Sequence, residues 1–211
     1  MEEFQVYTDI ASRTNGEIYL GVCGPVRTGK STFIKRFMEL LVLPAITNEH
    51  DRQRAVDELP QSADGKTIMT TEPKFIPKEA VGVRLMGDNE VRMRLIDCVG
   101  YIVDGANGLT EDGEERMVMT PWSKEPMPFT QAAEFGTQKV IHDHSTVGVV
   151  VTTDGSFGEL ERGVYLEAEE RVIRELQEIG KPFIVLLNCK AMQPPKLRLI
   201  IYIFPSTSST A

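Results

Sequence analysis

The octapeptide Gly24-Pro25-Val26-Arg27-Thr28-Gly29-Lys30-Ser31 constrains this chain more than any other stretch. It fits G-x-x-x-x-G-K-[ST], a loop that cradles phosphates and sits between a strand and a helix. Gly24 and Gly29 allow the backbone to turn and to approach a ligand closely. Consecutive N–H groups then point at phosphate oxygens. Lys30 supplies a mobile charge for the β- and γ-phosphates. The Ser31 hydroxyl suits Mg²⁺, which keeps most of its waters and takes few protein ligands. The flanks agree. Glu17–Cys23 is a short apolar, β-rich run, and Ser31–Leu43 carries Phe33, Phe37, Leu40 and Leu41 at helical spacing.

A second piece of chemistry follows. Val81, Val83 and Leu85 alternate, Gly87-Asp88-Asn89 signals a turn, and Val91, Met93 and Leu95 lead into Ile96-Asp97. This predicts a hairpin over 81–86 and 90–97 that ends in Asp97-Cys98-Val99-Gly100. Behind a phosphate loop, an Asp at a strand end holds Mg²⁺ through water, and the Gly of D-x-x-G offers an N–H to the γ-phosphate. Ser31 and Asp97 are therefore the metal candidates. The nucleotide candidates are Gly24, Pro25, Val26, Arg27, Thr28, Gly29, Lys30, Ser31, Thr32 and Gly100. Arg27 is read as an exposed solubilising residue, with a transition-state stabiliser as its other reading.

Helix, long loop and two strands between Lys30 and Asp97 match a GTPase-type core with an antiparallel second strand. Val147–Thr153 and Phe183–Asn188 are continuous apolar runs, as expected of strands buried on both faces. Between them lies a charged helix, Val164–Ile179. Its apolar face is Val164, Ala168, Val172 and Leu176, and its Glu and Arg residues are read as a solvated face. The fold class is thus α/β, a mostly parallel sheet with one antiparallel strand. Residues 1–16 form an N-terminal helical extension and 17–188 the nucleotide domain. Residues 189–211 form a poorly ordered tail, in which 197–204 could cover the last sheet edge. Further expectations are an apolar helix near 4–14, a short helix through Arg54, Val56 and Leu59, an irregular segment over 101–129, and a helix from Phe129 to Val140. His142 and His144, two apart, are read as surface residues rather than a metal pair.

Guanine is ordinarily read by Asn-Lys-x-Asp after the strand that ends at Asn188. Here the chain reads Asn188-Cys189-Lys190-Ala191, with no Asp to meet the ring. ATP is favoured over GTP, and Asn188 is read as merely ending a strand. A GTPase-type switch is the alternative. The 211 residues carry a net charge of −8 without a basic block, which disfavours nucleic acid as a partner. Cys23, Cys98 and Cys189 are too few and too scattered for a disulfide framework or a zinc site, which fits a reducing compartment. Neither a signal peptide nor a membrane-spanning run is visible, so the chain is read as cytosolic.

Longer stretches carry a family resemblance. Gly16–Val22, Val26–Lys35, Asp57–Ala63, Gly65–Phe75, Asp97–Tyr101, Thr120-Pro121-Trp122, Ala132-Ala133-Glu134, His144–Gly155 and Glu167–Ile173 occur in order. Together they resemble the stage IV sporulation protein A family of endospore-forming bacteria. The resemblance implies a morphogenetic ATPase of the TRAFAC-type P-loop class. ATP and Mg²⁺ are its cofactors, and hydrolysis drives self-assembly into the basement layer of the spore coat. It further implies a mother-cell cytoplasmic protein, peripheral to the forespore membrane. A small amphipathic membrane peptide would recruit it, and other coat proteins would dock on it. By the same resemblance Lys30 is the Walker A lysine and Asp97 the Walker B-like aspartate. Thr70 and Thr71 lie in a switch-I-like loop and sense or position the γ-phosphate. Family proteins are more than twice as long, and from about Cys189 the likeness ends. The sequence is accordingly read as an incomplete domain, as a frameshift or gene fragment would leave it. A nucleotide-binding domain without assembly activity is then a further alternative.

Overall fold

The structure is a computed structural model that describes residues 16–60, 71–84, 90–111, 113–156, 159–190 and 200–202. The expected helix near 4–14, Thr70, Leu85, the turn Gly87-Asp88-Asn89 and most of the tail 189–211 lie outside the described residues.

Six strands form one sheet: β1 (Glu17–Cys23), β2 (Lys74–Arg84), β3 (Glu90–Asp97), β4 (Val147–Thr153), β5 (Phe183–Asn188) and β6 (Ile200–Tyr202). Their order is β6-β5-β4-β1-β3-β2. β1 runs parallel to β3 and to β4, and β4 runs parallel to β5. β2 is antiparallel to β3, as the hairpin predicted. On the opposite edge β6 pairs antiparallel with β5, a second antiparallel pairing beyond the one expected. β2 is longer than its alternation suggests. It begins at Lys74 and accommodates Pro77 at an irregularity between Ile76 and Val81. An edge strand tolerates this, because a proline there costs no interior ladder bond.

β4 is buried along nearly its whole length, and β1 at its carboxyl end, because both faces are covered there. Val22 of β1, Leu95 of β3, and Val149 and Val151 of β4 pack into one core cluster with Ile34, Met38 and Val42. Their neighbours Cys23, Ile96 and Val150 pack into a second cluster with Val140, Val172 and Leu176. Successive side chains of a strand point to opposite faces, so each apolar run feeds two layers.

The first layer holds α1 (Lys30–Phe37) and α2 (Glu49–Asp57). α1 widens into a turn at Met38–Val42 and stops around Pro44. Its buried stripe is Ile34, Met38 and Val42, four residues apart, whereas the expected Leu40 and Leu41 face outward. α2 starts at Asn48, whose side chain accepts the N–H groups of His50 and Asp51. The second layer holds α3 (Phe129–Lys139), extended by a wide turn to His144, and α4 (Leu166–Glu178). Ala168, Val172 and Leu176 of α4 are buried as predicted. Its charges are not merely a solvated face. Glu175 accepts the Tyr101 hydroxyl at 2.6 Å and the Arg171 guanidinium at 3.1 Å, and Arg171 also pairs with Glu134 of α3. Glu169 accepts from Arg162 and from Thr152 of β4. Between β3 and α3, the segment 101–128 carries two short ladders, 110–111 with 114–115 and 117–118 with 127–128.

Candidate nucleotide and metal site

The register carries the site residues to one end of the sheet. Asp97 is the last residue of β3 and lies opposite Val22 of β1. Asn188 is the last residue of β5 and lies opposite Thr153 of β4. The phosphate loop leaves β1 at the same end, between them. Open α/β sheets bind ligands outside the carboxyl ends of their strands.

The loop is shaped by a close backbone approach. Gly24 has φ 127°, and a Cβ there would stand 2.4 Å from the Val151 carbonyl oxygen of β4. Arg27, exposed as expected, also takes a positive φ of 61°. Two further bonds tie the loop to D-x-x-G. The Val26 N–H donates to the Tyr101 carbonyl at 2.9 Å, and the Tyr101 N–H donates to the Gly24 carbonyl at 3.2 Å. Gly100 fills the remaining space. Its φ is 93°, and a Cβ would meet the Gly24 oxygen at 2.2 Å and Lys30 Nζ at 2.5 Å.

α1 begins at Lys30 behind Gly29, without a side-chain cap and without an acidic residue in its first turn. The first N–H groups of a helix have no intrahelical acceptor and carry its positive pole. The first turn of α1 carries no acidic residue of its own, so that pole is suited to phosphate. Lys30 is 5 % exposed, and its Nζ spans the loop to the Pro25 carbonyl at 2.6 Å and the Gly24 carbonyl at 3.5 Å. Thr28 Oγ1 donates to the same Pro25 oxygen at 3.0 Å. Burial lowers the Lys30 amine below its ordinary value, opposed by Cys98 and Asp97 nearby.

Ser31 Oγ donates to Asp97 Oδ2 at 3.2 Å. The other carboxylate oxygen, Asp97 Oδ1, is buried and has no hydrogen-bond partner. Burial raises the Asp97 carboxyl, and Lys30 and the Ser31 hydrogen bond oppose that rise. A buried, unpartnered carboxylate oxygen beside a hydroxyl is the donor set that a hard cation such as Mg²⁺ takes. The residues present therefore fit the metal expected at this position. Cys98 is an inert neighbour: burial pushes its thiol up to about 11, so it stays neutral.

The structure thus brings together the loop, Lys30, Ser31, Asp97 and Gly100. Thr71 is buried, with its carbonyl against α3. Thr32 is exposed on the first turn of α1. The reading of Asn188 needs correction. It does more than end a strand, since its Nδ2 donates to the Thr28 carbonyl at 3.0 Å and holds the phosphate loop from behind. An amide side chain at the end of the strand next to β4 is the available signal. A guanine-recognition pattern does not reveal this role, because the Thr28 carbonyl that Asn188 meets is 160 residues away. Among the described residues, no group of three or more His, Cys, Asp or Glu side chains could hold a metal ion. No helix there is long and apolar enough to cross a membrane.

The model for the ATPase domain of stage IV sporulation protein A matches residues 1–201. The chain belongs to that family. It is 62 % identical over 188 residues to stage IV sporulation protein A of Bacillus subtilis (strain 168), covering 89 % of this chain and 38 % of the relative. The protein of that name from Clostridioides difficile (strain 630) is 57 % identical over 183 residues, covering 87 % and 37 %. The chain therefore spans little more than a third of the length of these relatives. The family match runs to residue 201 and so reaches into β6, past Cys189.

Proposed function

We propose that this chain binds ATP with Mg²⁺ at the phosphate loop and hydrolyses it. We further propose that it serves a protein that self-assembles into the basement layer of the spore coat. The observation that carries the reading is the pairing of Ser31 with Asp97, with the second Asp97 oxygen buried and unpartnered beside Lys30. The ATPase-domain family and the names of the relatives support the nucleotide and the sporulation setting.

In this reading Ser31 would hold the metal directly and Asp97 would hold it through water. Mg²⁺, when bound, draws charge off the β- and γ-phosphates. The loop N–H groups and the first turn of α1 bind the phosphates and fix their orientation. Lys30 already donates into the loop. Its ammonium turns toward the bridging and γ-phosphate oxygens, where charge grows as the terminal bond breaks. Gly100 brings its N–H to the same end of the site. Thr70 and Thr71 position the attacking water or the metal.

The lack of Asp at position 191 favours adenine over guanine. Recruitment by an amphipathic membrane peptide, docking of other coat proteins and a mother-cell location at the forespore surface belong to the same proposal. Phosphate release by the chain with ATP and Mg²⁺, compared with Lys30→Ala, tests the enzymatic part. Equal rates would remove it. Sedimentation with and without ATP tests assembly.

A further inference from the structure

Two segments assigned to the γ-phosphate rest on adjacent residues of α3. The first is the switch-I-like segment. The Thr71 carbonyl oxygen lies so close to α3 that a Cβ on Gly136 would stand 2.3 Å from it. Only a residue without a side chain admits that approach. The second is D-x-x-G. The Gly100 N–H donates to Thr137 Oγ1 at 3.0 Å, and both residues are buried. The Thr137 hydroxyl in turn donates to the Ala133 carbonyl at 2.8 Å, which fixes its lone pairs toward Gly100.

A backbone N–H has one proton to give. The N–H that D-x-x-G offers to a γ-phosphate is the one that Thr137 accepts. We propose that Thr137 is a positioning residue, whose hydroxyl competes with the γ-phosphate for the Gly100 N–H. Bound ADP leaves the Gly100–Thr137 contact in place. Bound ATP takes the N–H and unfastens the turn from α3. The state of the nucleotide is thereby passed to the helix that also seats Thr71 and pairs with α4 through Glu134 and Arg171. The inference rests on the reading of Asp97–Gly100 as the γ-phosphate segment.

The test compares affinities for β,γ-imido-ATP and ADP, both with Mg²⁺, in the full chain. Thr137→Val keeps the size of the side chain and removes the acceptor. A typical hydrogen bond contributes enough for about a three- to ten-fold change. β,γ-imido-ATP should bind the variant tighter by that factor, with ADP affinity unchanged. Thr137→Ser, which keeps the hydroxyl, should restore the wild-type ratio. If Thr137→Val does not fold, Thr137→Ala makes the same comparison. A residue that merely supports the helix would lower stability and leave the ratio alone, and that result overturns the proposal. Amide exchange at Gly100 in the wild type separates the two layers of argument. Equal exchange with β,γ-imido-ATP and ADP would sink the reading of D-x-x-G itself, and the proposal with it. Different exchange, together with an unchanged ratio in the valine variant, would sink the proposal alone.

Discussion

Replacing Asn188 with alanine should weaken nucleotide binding without unfolding the protein. The Asn188 amide donates to the Thr28 carbonyl at 3.0 Å, and Thr28 is 0 % exposed. Truncation leaves that carbonyl buried without its partner, at a cost of about 1–3 kcal/mol. In the unliganded variant the loop can shift until water reaches the carbonyl, which removes most of the cost. Nucleotide binding needs the present loop shape, so the cost returns as lost affinity. At about 1.4 kcal/mol per decade, Kd should rise roughly 5- to 150-fold. The melting temperature should fall by no more than about 2–4 °C, the shift expected for about 1 kcal/mol in a chain of this size. Asn188→Asp keeps the shape but turns an acceptor toward the carbonyl and adds a negative charge behind the phosphates. It should bind more weakly than the alanine variant. Titration calorimetry with β,γ-imido-ATP and Mg²⁺ measures both. A Kd for Asn188→Ala within two-fold of wild type would refute the claim that Asn188 shapes the loop.

Other consequences are as concrete. Gly100→Ala places a methyl against the Gly24 carbonyl and Lys30 Nζ at a φ of 93°. It should destabilise the fold by about 3 kcal/mol or more, from left-handed strain and the loss of the Val26–Tyr101–Gly24 bonds, as read by urea denaturation. Asp97→Asn removes a carboxylate that burial holds above its ordinary value. The folded state binds this proton more tightly than the unfolded chain, so the wild type loses stability as pH rises through the folded value. The asparagine variant should melt higher than wild type near neutrality without nucleotide. Its advantage should vanish as pH falls to the ordinary carboxylate range, and its melting point should no longer respond to Mg²⁺ with ATP. Arg171→Ala removes the ion pairs to Glu134 and Glu175 and the guanidinium that stacks 4.2 Å from the Tyr101 ring centre. Exposed ion pairs and such stacking are each worth about 1 kcal/mol or less, so thermal melting should show a loss of about 1–2 kcal/mol.

The parts of the site that the sequence displays are those whose chemistry is local. A loop needing Gly24, Gly29, Lys30 and Ser31 must show them in a row. An Asp that ends a strand shows as alternation that stops at Asp97. The two-faced burial of β4 shows as an unbroken apolar run, whereas β5, which reads the same way, is fully buried only at Phe183 and leaves Leu187 exposed because it lies next to the sheet edge. What stayed hidden depends on contacts between distant segments. Asn188 and Thr28 are 160 residues apart, Gly100 and Thr137 are 37 apart, and neither pairing leaves a periodic trace. The rotation of α1 is set by where the phosphate loop delivers it, so Met38 is buried and Leu40 is exposed although both are apolar. Charges on α4 read as solvated, because composition does not reveal that Tyr101 and Glu134 lie within reach of Glu175 and Arg171. The exposed edge of β5 makes 197–204 its candidate cover, and Ile200–Tyr202 does pair there, but no pattern within those residues sets the antiparallel direction.

The most direct measurement is phosphate release from ATP, with and without Mg²⁺, by the wild-type chain and by Lys30→Ala, with GTP as competitor. The geometry around Ser31, Asp97 and Lys30 predicts Mg²⁺-dependent release that falls by at least about ten-fold in the variant. The lack of Asp at position 191 predicts that GTP at equal concentration leaves the rate unchanged. Release that is indifferent to Mg²⁺ and equal in the two proteins would contradict the account.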